Sequence, residues 1–337
     1  MALLTSGPET APPGAETSSV ETSQAAEVRS APHAPDGRAP CGPGVLLRAR
    51  EGQLDSTLAL RRVAAHLGDL HRVDGPDPDP PPVVALVCDD LAATERLLAL
   101  GVPVVHLASG HPGPSAADAP PERALGRTHR PGWLPRSGPA AGAARPTGVL
   151  APHRTGRSRT RSGTLLLLSL WGVPDADAEA FATGPLPQLA DAALRRTGSC
   201  TVVADTGLDL LRSALEGRAE RPGLRVDRAS EVDPDALHAG AAVFLASPVL
   251  GVLALAQARR APLTLLPPLG PAQRDLAARV AAVLPLPMAE DPDDPGLWEP
   301  SEATAAGPWH LLDPALDDLR GAQRVARTVR QLALAPP

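Results

Sequence analysis

The amino-acid sequence predicts an α/β protein with two Rossmann-like domains, each built on a parallel sheet. Short apolar runs alternate with helical patterns; for example, residues 83–87 read as a strand and residues 91–100 as a helix that Gly101 ends. The links between these elements are short, which indicates right-handed parallel crossovers. The chain has 337 residues, which is longer than a usual single domain.

The first domain is predicted over residues 43–145, after a tail (1–42) whose Ala-, Pro- and Ser-rich composition predicts disorder. Its predicted elements are strand 45–47, helix 56–67, strand 83–87, helix 91–100 and strand 102–107. With only three or four predicted strands, this domain is expected to be reduced in size. Residues 109–162 read largely as loop.

An arginine-rich linker is predicted over residues 146–162. It contains Arg154, Arg157, Arg159 and Arg161 among Pro and Gly residues. We interpret it as a solvated connector between the domains, with contact to an anion as the alternative.

The second domain is predicted over residues 163–337, and it begins with an apolar strand at residue 164. Its remaining predicted strands are 200–204, 224–226, 241–246 and 262–266. Its predicted helices are 186–196, 208–215, 234–238, 248–259, a helix headed by Gln273, and a terminal helix over 321–334.

The composition of the chain argues against several classes of function. The net charge is −6 with both signs interspersed, which argues against a nucleic-acid-binding protein. All 32 basic side chains are Arg. The three cysteines lack metal-ligand spacing, and no histidine, cysteine or carboxylate pattern fits a metal site. We find no signal peptide at the N-terminus and no apolar run long enough to span a membrane, so a cytoplasmic protein is expected.

The turn after residues 241–246 is the strongest candidate ligand site. Ser247-Pro248 follows a buried strand and opens a helix, so the free amides at that helix N-terminus could bind an anion. The alternative is that Ser247 only caps its helix.

Residues 241–274 resemble the donor-binding half of GT-B-type nucleotide-sugar glycosyltransferases. Ser247-Pro248, Pro262, Pro267-Pro268 and Gln273 fall on the pattern of that family without a gap. Within it, the chain is most similar to the group related to cytosylglucuronate (CGA) synthase, a glycosyltransferase of nucleoside-antibiotic pathways. The resemblance implies a nucleotide-sugar donor, a small acceptor, no cofactor, and a terminal helix that crosses back to the first domain.

The resemblance also implies the donor-binding residues. They are Ser169, Gly172, Ser247, Pro248, Val249, Leu250, Gly251, Gln273 and Arg274. Where the family has a helix Glu that binds the ribose, this chain has Leu255, which offers no acceptor. A second hypothesis therefore stays open: a catalytically degenerate homologue that acts as a binding or auxiliary protein, with a protein as its partner.

Three residues of the first domain are candidate catalytic groups. Asp89 and Asp90 follow the strand 83–87, and adjacent carboxylates at a strand end can act as a general base. An N-cap of the next helix explains Asp90 equally well. His106 ends the following strand, and His111 lies just beyond it; a structural role is the alternative for both.

Overall fold

The computed structural model describes residues 43–73, 75, 81–109, 121–136, 144–218, 222–299 and 306–335. The tail predicted to be disordered, residues 1–42, lies outside these residues, and so does His111.

The first sheet has six parallel strands in the order β2-β1-β3-β4-β5-β6. They are β1 (Gly44–Ala49), β2 (His71–Val73), β3 (Val84–Cys88), β4 (Val104–Ala108), β5 (Leu125–Thr128) and β6 (Arg145–Pro146). Helix α1 (Leu54–Ala64) follows β1, and α2 (Leu91–Ala99) follows β3. The sequence did not predict β2, β5 and β6, because these strands are short and have no apolar run.

The second sheet has five parallel strands in the order β11-β10-β7-β8-β9. They are β7 (Thr164–Leu168), β8 (Cys200–Ala204), β9 (Leu224–Arg228), β10 (Val243–Ala246) and β11 (Thr264–Leu265). Because β8 and β10 lie on opposite sides of β7, the strand order reverses at this sheet centre, which is where open α/β sheets bind ligands. The two sheets confirm the predicted pair of Rossmann-like domains.

Eight helices of the described residues follow the linker, together with two short 3-10 turns at Pro308–Leu311 and Pro314–Leu316. The helices are α3 (Asp175–Thr183), α4 (Pro185–Thr197), α5 (Leu208–Ala214), α6 (Pro234–Gly240), α7 (Leu250–Ala258), α8 (Pro271–Ala281), α9 (Pro295–Trp298) and α10 (Gly321–Ala333). Of the helices in the described part of the chain, none has the length and apolar character needed to cross a bilayer.

Helix α10 packs on the first sheet although it follows the whole second sheet in the chain. Its apolar stripe includes Val325 and Val329, which are fully buried in one core cluster with Val45 and Leu86. A helix with a single apolar stripe must bury that stripe against another element, and here the element is the face formed by α1 and β3.

The two sheets are joined by a shared core around α1. Leu54 and Leu58 on α1, together with Trp133, lie in the same cluster as Phe244 and Leu253 of the second sheet and α7. Burial of these side chains holds the domains directly against each other.

A buried ion pair fixes the other end of α1. The Arg62 side chain is only 1% exposed, and its guanidinium donates two hydrogen bonds to the Asp235 carboxylate at 3.0 and 2.7 Å. It also donates to the carbonyl oxygens of Leu150 and Gly251, both at 3.0 Å. One arginine of the first domain therefore binds α6, the linker and α7 at once.

We expect Arg62→Met to lower the free energy of unfolding by about 3 kcal/mol, because it leaves the Asp235 carboxylate without its buried partner. Urea denaturation followed by circular dichroism measures this change. The exposed Arg96 on α2 offers a matched control, and Arg96→Met should change stability by less than about 0.5 kcal/mol. Equal effects of the two substitutions would contradict a structural role for the ion pair.

Candidate functional site

The candidate site lies where β7, β8 and β10 end at the carboxyl edge of the second sheet. Ser169 follows β7, Asp205 follows β8 and Ser247 follows β10. The amide of Ser169 donates to the Ser247 hydroxyl oxygen at 3.0 Å, and the Ser169 hydroxyl donates to Asp205 at 2.6 Å. Parallel strands bring these three residues together because their carboxyl ends share one edge.

The Asp205 carboxylate binds backbone amides on both sides of the domain interface. Within its own domain it accepts from the amides of Leu170 at 2.8 Å and Thr206 at 2.7 Å. Across the interface it accepts from the amide of Leu54, the first residue of α1, at 3.2 Å. Burial raises its pKa, and these hydrogen bonds oppose that effect. Since Gln53 gives α1 no side-chain cap, the facing domain supplies one.

Asp55 of the first domain caps a helix of the second domain in the same way. Its carboxylate accepts from the amides of Leu250 at 3.2 Å and Gly251 at 2.6 Å, the first two residues of α7. Val249 gives α7 no side-chain cap. We call the two contacts, Asp205 on α1 and Asp55 on α7, the cap exchange. In each case a carboxylate of one domain lies at the positive end of a helix of the other.

Gly251 is the residue that lets α1 and α7 approach so closely. A Cβ at this position would lie 2.7 Å from Leu58 Cδ1 and 2.9 Å from Asp55 Oδ1. Any side chain would therefore push Asp55 and Leu58 away from α7.

Burial raises the pKa of Asp55 to about 7. The amide of Gly251 is the strongest group acting against this shift, and the Leu250 amide and Arg62 act in the same direction, whereas the negative charge of Asp89 adds to the rise. The Asp55 carboxyl group therefore changes its protonation state near neutral pH.

Most predicted donor-binding residues belong to this buried cluster. Pro248, Val249, Leu250 and Gly251 are buried in the turn that leads into α7. Gln273 is buried as well: its side-chain nitrogen donates to the Ser169 carbonyl at 2.8 Å, and its side-chain oxygen accepts from the Leu269 amide at 3.1 Å.

Two other predicted donor-binding residues, Gly172 and Arg274, are exposed at the carboxyl edge of the second sheet, which we call the rim. Beside Gly172, the Trp171 ring is 38% exposed and the Arg50 guanidinium lies 5.0 Å from its centre. This aromatic and cationic pair spans the two domains, since Arg50 comes from the first one.

The predicted catalytic residues lie in different surroundings. Asp89 accepts from the Ser109 amide at 2.9 Å and from the hydroxyls of Ser109 and Ser56, and it is close enough to Asp55 to affect the pKa of that group. Its backbone is left-handed, with φ 57°. Asp89 therefore borders the candidate site.

Asp90 and His106 make local contacts instead. Asp90 accepts from the Ala93 amide at 2.9 Å, which caps α2, and it pairs with Arg48 at 3.6 Å. The buried His106 ring has its Nδ1 2.8 Å from the Thr94 hydroxyl, and burial lowers its pKa. Both residues hold α2 against the first sheet through these contacts.

Sequence reasoning did not identify Asp55 and Asp205 as site residues. A signal existed for Asp205, because an acidic residue directly follows the apolar strand β8 just as Asp89 follows β3. Asp55 carried no such signal, since its partners lie 195 and 196 residues away in the chain. Leu255 proves to be fully buried in the core shared by the two domains, so it does not line a cleft, and a Glu at that position would place a charge in this core.

No group of three or more histidine, cysteine or acidic side chains in the described residues could hold a metal ion.

We expect the stability that Asp55 contributes to depend on pH. Because folding raises its pKa from 3.8 to about 7, the contribution is complete below about pH 4 and is lost as the pH rises through about 7. The free energy of unfolding of the native protein minus that of Asp55→Asn should therefore fall by about 2–3 kcal/mol from pH 5 to pH 8. Urea denaturation at several pH values measures it. The other titrating groups are common to both proteins and cancel, so a difference that is constant with pH would contradict the assignment.

Among the solved structures to which the chain is similar are three that cover most of its length. The chain is 14% identical to the spinosyn rhamnosyltransferase SpnG, with a TM-score of 0.43, over 87% of this chain and 96% of that one. It is 10% identical to MurG of Acinetobacter baumannii, with a TM-score of 0.38, over 86% and 93% of the two chains. The structure of LpCGTa in complex with UDP is 14% identical, with a TM-score of 0.38, over 87% and 94%. No curated protein sequence matches the chain.

The sequence profile of the CGA synthase-related proteins matches residues 45–337, which include both sheets and all ten helices of the described residues. The match thus takes in the turn into α7 that carried the resemblance, as well as Asp55 and Asp205. The chain belongs to the CGA synthase-related protein family.

Proposed function

We propose that this protein is a glycosyltransferase that moves a sugar from a nucleoside diphosphate to a small acceptor. One observation carries the proposal: the N-terminus of α7 holds an anionic group, the Asp55 carboxylate, on two backbone amides. A phosphate group can bind to the same donors at the same place, because its oxygens also accept hydrogen bonds from free amides at the positive end of a helix.

In the proposed donor complex the diphosphate takes the place of Asp55. The amides of Leu250 and Gly251 bind its oxygens, and Arg274 at the exposed rim adds a positive charge. In the transfer step the bond between the anomeric carbon and the diphosphate breaks, and the bond to the acceptor oxygen forms. The amides and Arg274 stabilise the charge that develops on the leaving diphosphate.

Donor binding in this proposal requires the domains to separate at the cap exchange. Asp55 then leaves α7 and faces the opened cleft, with Asp89 beside it. In the opened cleft Asp55 would act as the general base and accept the proton of the acceptor hydroxyl. Asp89 keeps that proton on Asp55 by its charge, while Asp90 and His106 hold the supporting helix α2. Trp171 and Arg50 at the rim would contact the acceptor.

A second candidate function is a binding or auxiliary role without sugar transfer. The observation behind it is Leu255, an apolar side chain in the shared core at the position where the resemblance implies a ribose-binding carboxylate. In that case the cap exchange would be permanent, and the buried α7 N-terminus would serve only to hold the domains together.

Competition between Asp55 and the diphosphate gives the test. We expect Asp55→Ala to bind UDP or TDP about tenfold more tightly than the native protein, because the substitution removes the group that competes with the diphosphate for the amides at the start of α7. Isothermal titration calorimetry with both nucleotides measures the affinities. The matched control is Asp69→Ala, which removes an exposed carboxylate of the same domain and should leave the affinity unchanged.

The three outcomes separate the hypotheses. Tighter binding by Asp55→Ala alone supports a donor site at α7. Equal binding by the native protein and the variant would show that Asp55 does not compete with the nucleotide, which contradicts the proposed opening. No binding by either protein would favour the auxiliary role.

A further inference from the structure

A cavity of about 940 Å³ lies at the opposite end of α7 from the cap exchange. Its walls come from the C-terminal half of α1, the linker at residues 152–158, α6 with the residues before it, and Arg259 just after α7. Neither Leu250 nor Gly251 lines the cavity, so it is separate from their amides. Its volume is in the range of sites that take small organic ligands.

Positive charge dominates the walls of this cavity. It is lined by three carboxylates and by five guanidinium groups, those of Arg61, Arg62, Arg154, Arg157 and Arg259. Each carboxylate already has partners. Asp235 binds Arg62, Asp233 accepts from the Asp235 and Ala236 amides at the start of α6, and Glu231 pairs with Arg228 at 3.5 Å.

The arginines of the wall donate mainly to neutral groups. Arg61 donates to the carbonyl oxygens of Val232 and Ser230. Arg157 donates to the Ala241 carbonyl at 2.9 Å, and Arg259 donates to the carbonyls of Asp235 and Arg154 at 2.6 and 2.9 Å. Within the described residues neither Arg157 nor Arg259 forms an ion pair, so their charges are not neutralised by a direct carboxylate contact.

Two of these guanidinium groups also have buried donors without acceptors. Arg157 Nε and Arg259 Nε are buried and find no hydrogen-bond acceptor within the described ranges, and the same is true of Nε2 of the fully buried His238. The His238 Nδ1 lies 2.9 Å from an Arg259 nitrogen and accepts from it, which places the ring proton on Nε2. An unsatisfied buried donor is costly, so the protein itself satisfies these arginines only in part.

The electrostatics of the cluster agree with the geometry. Burial lowers the pKa of Arg157 to about 10, and the neighbouring charges of Arg161 and Arg259 add to the effect. Burial and the surrounding arginines lower the pKa of His238 to about 2, so its ring is neutral. The fold therefore keeps several like charges close together, and a bound anion would relieve their repulsion.

We propose that this cavity is a binding site for an oxyanion, a phosphate or carboxylate group carried by a small molecule or free in solution, held by Arg157 and Arg259. Because α1 forms one wall and α6 another, the bound anion connects the two domains next to the Arg62–Asp235 pair. Binding would thus favour the closed arrangement in which the cap exchange is intact. The arginines of the linker would then bind a ligand and not only keep the linker solvated.

The test uses the full chain at constant ionic strength. Inorganic phosphate, ribose 5-phosphate and citrate are titrated by calorimetry, and binding of phosphate is also followed by ³¹P line broadening. We expect saturable binding by the native protein and at least about tenfold weaker binding by Arg157→Gln, because a charge-assisted contact is lost. Arg159→Gln, two residues away on the exposed linker and outside the cavity wall, is the matched control and should bind as the native protein does.

Arg157→Lys keeps the charge, so it should retain part of the affinity while Arg157→Gln loses it. Asp55→Ala should not tighten phosphate binding, which separates this site from the one at the α7 N-terminus, where the same substitution is expected to tighten nucleotide binding. Preference for ribose 5-phosphate, for inorganic phosphate or for citrate would each support the site and identify the carrier of the oxyanion. The proposal is overturned if no probe binds saturably, or if Arg157→Gln binds as tightly as the native protein.

Discussion

The structure depends on the exchange of carboxylate caps between the two domains. Helices α1 and α7 both begin without a side-chain cap of their own, and each receives an aspartate from the facing domain. Uncapped helix ends that are buried leave several amide hydrogens unsatisfied, so neither helix could be buried here unless the other domain were present. The hydrophobic contacts of Leu54, Leu58 and Trp133 add the apolar burial, and the two aspartates set the register at which the domains meet.

In the proposed function, stability and donor binding compete for the same atoms. The amides of Leu250 and Gly251 that satisfy Asp55 are also the groups at which a diphosphate would bind, so the protein holds its proposed donor site closed with its own carboxylate. Any donor must replace Asp55 there and must also offset the loss of the apolar contacts that close the domains. The near-neutral pKa of Asp55 makes the strength of that internal contact sensitive to modest changes of pH.

The sequence predicts the parallel α/β architecture because the central strands β3, β7 and β8 are apolar runs of five residues with clear helices between them. It fails for β5 and β6, two short strands at one side of the first sheet, because their pairing partners and not their composition make them strands. The turn at Ser247 is also predictable, since it is local. The roles of Asp55 and Asp205 are not, because they depend on which residues two separate domains bring together. A carboxylate at a helix start looks the same in sequence whether it caps its own helix or another one.

The path of the chain through α10 has a consequence for synthesis. The second sheet lies between two portions of the first domain, because α10 returns to complete the core of Val45 and Leu86 after all five strands of the second sheet have been made. On the ribosome, the second domain can therefore bury its sheet on both faces while the first still exposes an apolar face. The domain whose strands are made first finishes folding last. Its final core residues, Val325 and Val329, are made after the whole second sheet, so a chain truncated before α10 would have a folded second half and an unprotected first one.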